Sequence, residues 1–348
     1  DVYKRQDNYK ARFLQKLLDQ SFNVTLRLFP PFNIAAHMTG PDEQESWRQF
    51  LTKTLDTYGQ QLKQVEICNT INRKRWAGYT LHTFLNTWLI GHHEVKSRGL
   101  KLLGPNIQDF EPIYNIGILK ILQTENLLPD VHTDNLFVER VSEPERYDHR
   151  ILKYQWSKYF KYNLVKKSRI LAKIGNYFGV KHTTSASAFW AIYRIKRILV
   201  AGEQKQADYL TRYFTLLAAA GSLTQANWGS FIYNREGLIN DGLTDDEYPS
   251  LERITHYQSS DGILNEYNRY PSFYAMQTIL THLPGAYYHQ AIATTHGLEI
   301  HHFSNESKQF DIAWTINGKV AYLADIYSES TLKSAVILHR DGEKLTKN

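Results

Sequence analysis

The sequence predicts an α/β protein in which helices wrap a parallel sheet, followed by a small antiparallel β piece. Three observations carry this. Short β-branched runs alternate with amphipathic helical stretches six times between residues 22 and 284. Each run ends in a polar or Gly/Pro tip, the kind of break a parallel strand needs before its crossover helix. After Pro284 the texture changes: AYYHQAIATT, GLEIHHF, QFDIAWTI and KVAYLADIY alternate with period two, and Asn317-Gly318 between the last two is a hairpin signal.

Taken in order, FNVTLRLFPP (22–31) reads as a strand and is followed by the helix SWRQFLTKTLDTYGQQL. QVEICNT precedes TLHTFLNTWLIGHHEVK, and LKLLGPNI precedes IYNIGILKILQTENLL. DVHTDNLFVERV leads through a loop to a basic helix ending near Gly179. KHTTSASAFW leads to QADYLTRYFTLLAAAG, and LTQANWGSFIY leads through a long loop to YPSFYAMQTILTHL. A (β/α)8 barrel of the TIM type needs eight strands. An open doubly wound sheet would carry a Gly-rich turn after its first strand, and none is present. The pattern therefore predicts a barrel lacking its first two strands over residues 7–284, with a β-sandwich-like appendage over 285–348. The first six residues, DVYKRQ, have the look of adapter read-through, and the chain is read as a fragment truncated at its N terminus.

The chain has 348 residues, of which 42% are hydrophobic and 22% charged, an ordinary globular balance. No apolar run approaches the roughly 18 residues that a membrane span needs. The single cysteine, Cys68, excludes a disulfide framework and a cysteine-based zinc site, and is compatible with a cytoplasmic protein without establishing a compartment. Between Arg146 and Lys181 there are ten Lys or Arg and one Asp, interleaved with Tyr154, Trp156, Tyr159, Phe160 and Tyr162. Such a segment suits a solvated helix face or peripheral contact with an anionic surface. No nucleic-acid motif accompanies it.

From residue 22 to about 325 the order of pieces resembles the clan of retaining (β/α)8 glycoside hydrolases that includes cellulases and β-xylosidases. LRLFPP, a helix with Trp47, Phe50 and Tyr58, and then VEICNTINRKRWAGY look like that clan's third and fourth strands. The resemblance implies a general acid/base Glu after the Asn that ends the fourth strand, and a nucleophilic Glu at the end of the seventh. Here Asn69 matches the Asn and Thr70 stands where the acid/base is implied. Ser187, three residues before Trp190, stands at the nucleophile position, or Ser185 if the register slips by two. Trp228 matches a sugar-platform Trp of the eighth strand.

Both carboxylates of the retaining mechanism are thus replaced. Retaining hydrolysis needs two carboxyl groups roughly 5–5.5 Å apart. A threonine hydroxyl is too weak an acid to protonate a glycosidic oxygen, and loss of general acid catalysis alone costs about 10²–10⁴-fold. A serine without an adjacent base is a poor nucleophile.

Other carboxylates are candidates. Asp109 and Glu111 follow the third run here, at the face where barrel active sites lie. His132 and Asp134 are two apart on one strand and share a face, so Asp134 could orient the imidazole. The competing readings are that Asp109 caps the next helix and that His132 is an ordinary strand histidine. Glu66, two residues before Cys68, is expected to form a buried pair with Arg27. No third ligand joins His132 and Asp134, so neither metal nor cofactor is expected.

The resemblance and the residues together imply carbohydrate as the partner, most simply a bacterial polysaccharide or surface glycan, bound at the C-terminal mouth of the barrel. Asn69, Asn72 and Arg73 would be polar contacts, and Trp76, Tyr79, Trp190 and Trp228 ring platforms. Two alternatives stand beside this: an active glycoside hydrolase using Asp109, Glu111 or Asp134, and a non-catalytic protein docking through the basic segment 146–181.

Overall fold

The computed structural model describes residues 2–137, 143–146, 159–160, 162–240, 242, 264–293, 297–316 and 318–346, with side chains from residue 11 onward. Helix α1 (Val2–Asp19) leads into β1 (Thr25–Leu28), α2 (Phe32–Ala36), α3 (Pro41–Tyr58), β2 (Gln64–Ile67), α4 (Lys74–Ala77) and α5 (Leu81–Lys96). Then come β3 (Lys101–Gln108), α6 (Pro112–Thr124), β4 (Val131–Asn135), α7 (Leu164–Tyr177), β5 (His182–Ala188), α8 (Ile192–Lys196), α9 (Gly202–Ala220) and β6 (Gln225–Trp228). The six predicted strands are all present and follow one another in chain order in the sheet, the topology of a partial TIM-type α/β fold.

By compactness the chain divides into residues 1–136 with 170–186, and residues 137–169 with 187–348. In the first unit, parallel pairing matches Arg27 with Glu66, Asn106 with Thr133 and Thr133 with Thr184. Residues in parallel register share a face, so these form the polar inner face. Val65, Ile67, Leu102 and Ile107 take the other face and join Trp47, Leu51, Leu55, Phe84 and Trp88 in one core. Helix α5 can lie so close because Gly91 has no side chain: a Cβ there would stand 2.6 Å from Ile67 Cγ2. The helix is started by a reciprocal Thr80–Thr83 capping box. The indoles of Trp47 and Trp88 donate to the carbonyls of Thr87 (3.2 Å) and Leu127 (2.9 Å), so neither polar atom is stranded in the core.

On the inner face the expected pair is present: Arg27 Nε lies 2.6 Å from Glu66 Oε2. Thr133 Oγ1 donates to the second carboxylate oxygen at 2.8 Å, so Glu66 is saturated.

In the second unit, β7 (Ile239–Asn240) and β8 (Asn268–Arg269) form a short antiparallel pair. Helix α10 (Pro271–His282) precedes β9 (Tyr287–Ala293), β10 (Leu298–Ser304) and β11 (Gln309–Thr315), an antiparallel sheet ordered β11-β10-β9. Ile279, Leu283 and Phe303 form its core, with Phe214 and Ala218 of α9 packed against them.

Only three of the four C-terminal runs are strands. KVAYLADIY forms a short 3₁₀ turn, Leu323–Asp325, and is followed by α11 (Glu329–Ser334). Its alternation buries nothing, since Val320 and Tyr322 are both exposed, and without a buried face period two does not hold a strand on a sheet. Asn317, half of the predicted hairpin turn, lies outside the described residues.

Of the basic segment, residues 147–158 and 161 lie outside the described residues. In the described part, Lys167 departs from the predicted solvated face. It is fully buried, with Nζ donating to the Phe137 carbonyl at 2.7 Å. Among the described residues, no helix is long and apolar enough to cross a membrane.

Candidate active site

In the first unit Asn69, Thr70, Asn72, Arg73, Asp109 and Glu111 lie at the C-terminal ends of β2 and β3. The chain leaves β2 in an irregular turn in which Cys68 (φ 66°) and Thr70 (φ 48°) both adopt left-handed backbone, uncommon for side chains other than Gly and Asn. Asp109 (φ 64°) and Phe110 (φ 47°) do the same beyond β3. Such conformations persist where surrounding bonds over-determine them. Here those bonds are visible. Cys68 N donates to the Leu28 carbonyl (3.1 Å) and Ile71 N to that of Asn106 (3.1 Å). Asn72 forms a two-point clamp on the Gln108 backbone, donating to its carbonyl and accepting from its N–H, each at 2.9 Å.

Arg73 is the hub. Its guanidinium lies 3.2 Å from Asp109 Oδ2 and also donates to Glu111, so one cation holds both mouth carboxylates. Burial opposes the charge on Arg73, but the bond and charge of Glu111, followed by those of Asp109, hold its pKa above the usual value. Asp109 is therefore a partner of Arg73. Glu111 occupies the N-cap position of α6 but makes no capping bond with its side chain. A polar ladder continues inward: Gln108 Nε2 donates to Asp109 (3.3 Å), Asn135 to Gln108 (2.7 Å) and Asn106 to Asn135 (3.2 Å).

Thr70 is partly exposed at this mouth, and Asn69 beside it carries a buried Oδ1 with no hydrogen-bond partner. Buried acceptors are nearly always paired, so this atom is one a bound hydroxyl can satisfy. Trp76, 43% exposed in α4, offers a ring to solvent. Tyr79 does not. It is 4% exposed, packed edge-on to Phe84 with its hydroxyl turned to Cys68, and so serves the core. Burial pushes the Cys68 thiol up to about 12, with the nearby Tyr79 hydroxyl acting against it and the Glu66 charge adding to it.

His132 and Asp134 share a face, as their spacing predicts, but it is the face turned to the helices. Asn115 of α6 stands between them, bonding His132 Nε2 at 2.5 Å and Asp134 Oδ2 at 2.9 Å. Asp134 Oδ1 also accepts from Phe110 N at 3.1 Å. Both residues are fully buried. Burial lowers the imidazole pKa to about 4, outweighing a bond to the Gly104 backbone, so the ring is neutral at neutral pH. The inner-face residues of this strand are Thr133 and Asn135, which the sequence reading passed over. The signal lay in parity with Glu66, which becomes legible only once the strand register is known.

The register also decides β5. Asp134 pairs with Ser185, so Ser185 lies on the helix-facing side, and alternation carries Ser187 to that side. Thr184, Ala186 and Ala188 take the inner side. The inward residue nearest the expected nucleophile position is thus an alanine. In the second unit Trp190 (1% exposed) and Trp228 (9%) stack on each other with ring centroids 6.0 Å apart. Tyr209 and Tyr213 pack against Trp190, and the Trp228 indole donates to the Glu236 carbonyl at 3.2 Å. These two rings form a packed core and present no open platform. Among the described residues no cluster of His, Cys, Asp and Glu is suited to a metal.

No protein-family model and no curated protein matches the chain. Among solved structures it is similar to a family 39 glycoside hydrolase from the gut symbiont Bacteroides cellulosilyticus WH2, at 14% identity and TM-score 0.58, over 80% of this chain and 53% of that one. A GH39 enzyme from Xanthomonas axonopodis pv. citri gives 11% identity and TM-score 0.49, over 80% and 52% of the two chains. A GH30 endoxylanase from Clostridium papyrosolvens C71 gives 12% and 0.43, over 79% and 56%. At these identities a likeness speaks for the fold alone, and of the three the first is close enough to carry it: the fold is a partial TIM-type α/β fold. The chain spans about half the length of these structures.

Proposed function

We propose that this chain is a glycosidase-like barrel that binds carbohydrate at the mouth formed after β2 and β3, without retaining hydrolysis. The observation that carries this reading is Arg73, which ion-pairs with both Asp109 and Glu111. A carboxylate engaged by a guanidinium is not free to meet a leaving oxygen, so neither Asp109 nor Glu111 is placed as a general acid. The position aligned with the acid/base is Thr70, and the inward residues late in β5 are alanines. Neither position supplies the pair that retaining chemistry needs.

What the mouth retains is suited to binding. Asn69 offers an unpaired acceptor, Thr70 a hydroxyl, and Trp76 an exposed ring for the C–H face of a sugar. Asn72 and Arg73 act as positioning residues that fix the turn. His132, Asp134, Tyr79, Trp190 and Trp228 belong to packing rather than to the ligand. A bacterial surface glycan or polysaccharide is the substrate class we assign.

The competing reading, an active hydrolase, is favoured by one feature: Asp109 and Glu111 sit together on a partly exposed cation. Affinity electrophoresis of the chain in gels containing soluble β-glucans, xylans and bacterial exopolysaccharides tests the binding claim. Retardation by at least one polymer, lost in Trp76→Ala and Asn69→Ala, is expected. Unretarded migration in every polymer overturns it.

A further inference from the structure

The second unit carries a half-open pocket of about 280 Å³ lined by none of the mouth residues, and its lining is chemically unusual. Glu145 and His301 both line it, with side chains more than nine-tenths buried. Neither Glu145 oxygen has a hydrogen-bond partner, and His301 Nδ1 has none. Buried polar atoms are rarely left so, because an unpaired one loses its hydration with nothing in return.

The neighbours do not resolve this. Arg212 lies 3.8 Å from Glu145 but is shared with Glu143 at 3.4 Å and with the Thr315 carbonyl at 3.0 Å. The buried Trp314 indole N–H is a donor that acts on Glu145 but closes no well-formed hydrogen bond with it, and its ring stacks on His301 at 5.2 Å. His301 Nε2 lies 3.0 Å from the Glu299 carboxylate, which only accepts, so Nε2 carries a proton and Nδ1 is the ring nitrogen left without a partner.

The lining is therefore rich in acceptors at its buried end. Donors stand elsewhere on the wall, in Asn163 and Arg169, and Tyr288 and Leu216 supply apolar surface. An ammonium ion would satisfy the acceptors and leave the donors unmatched. An anion would meet Glu145 and Glu299. A hydroxyl both donates and accepts, and a ring of C–H groups suits the tyrosine. The volume lies at the lower end of the roughly 300–1,000 Å³ typical of ligand pockets, which suits one small molecule rather than a chain.

We infer that this cavity is a binding site for a single polyhydroxylated molecule of monosaccharide size, held by Glu145 and His301. The inference goes beyond the mouth reading and stands without it, since every lining residue belongs to the second unit.

Saturation-transfer NMR of the chain with xylose, glucose, galactose and N-acetylglucosamine at millimolar concentration, and with methylammonium as a control, tests it. At least one sugar should receive saturation. Glu145→Gln, which keeps shape but removes charge, should weaken that binding about tenfold or more, in line with one charged hydrogen bond. Ala220→Phe, which fills the cavity, should abolish it, and Asn69→Ala at the mouth should leave it in place. Circular dichroism checks the folding of Ala220→Phe, and Glu145→Gln carries the test alone if that variant does not fold. No sugar bound, methylammonium bound in place of sugars, binding unchanged by Glu145→Gln, or binding lost in Asn69→Ala would each overturn the assignment.

Discussion

Arg73 Nη2 lies 3.2 Å from Asp109 Oδ2, joining the turn after β2 to the turn after β3 at the mouth of the first unit. The same guanidinium holds Glu111 and reaches the Gln108 carbonyl at 3.4 Å. Arg73→Ala should therefore lower polysaccharide affinity about tenfold by loosening both turns. The cost in stability should stay near 1 kcal/mol, because the group is partly exposed to solvent. Affinity electrophoresis and urea unfolding read the two effects separately.

Glu66 is the opposite case. It is almost fully buried and bonded to both Arg27 and Thr133. Glu66→Ala should destabilise the chain by about 3–5 kcal/mol by leaving the arginine without its partner, whereas Arg27→Met with Glu66→Leu should recover most of that. Urea unfolding of the single and double variants checks both.

These two sites show what the sequence made legible. The Glu66–Arg27 pair is legible because QVEI and TLRL are consecutive strands and a buried charge calls for an opposite one on its neighbour. His132 and Asp134 share a face, as their spacing says, but a shared face does not say which face. That depended on the pairing of Thr133 with Asn106, behind an irregularity in β3. All six parallel strands are legible from short runs that alternate with helical stretches, whereas KVAYLADIY shows that alternation without a face to bury makes no strand. The rings of Trp190 and Trp228 could not be sorted from Trp76 by composition, since core and platform use the same residue.

The buried His132 gives a pH dependence with a definite sign. Its pKa is depressed to about 4 in the folded chain against 6.5 ordinarily, so its stabilising contribution is complete above 6.5 and is lost as pH falls toward 4. Stability should drop over that window by up to about 3 kcal/mol from this group. His132→Gln should flatten the dependence. Urea unfolding at stepped pH measures it.

Cys68 behaves in the reverse sense. Its thiol pKa is raised from 9.0 to about 12, so its contribution is complete below 9 and is lost as pH rises toward 12. The native chain should be almost inert to a thiol reagent at pH 8 and react at once in denaturant. The absorbance of the released thiolate follows this directly.

Trp228→Ala should cost about 3–5 kcal/mol by emptying the stack against Trp190, with mouth binding retained in whatever fraction stays folded. A loss of affinity without loss of stability would instead make Trp228 a platform.

The central claim is that the mouth holds sugar without cutting it. Incubating the chain with bacterial surface oligosaccharides and following their masses over time, alongside an Asp109→Asn variant, tests this most directly. The account predicts oligosaccharides of unchanged mass that co-purify with the protein. Time-dependent cleavage that Asp109→Asn abolishes would contradict it and make Asp109 a catalytic carboxylate.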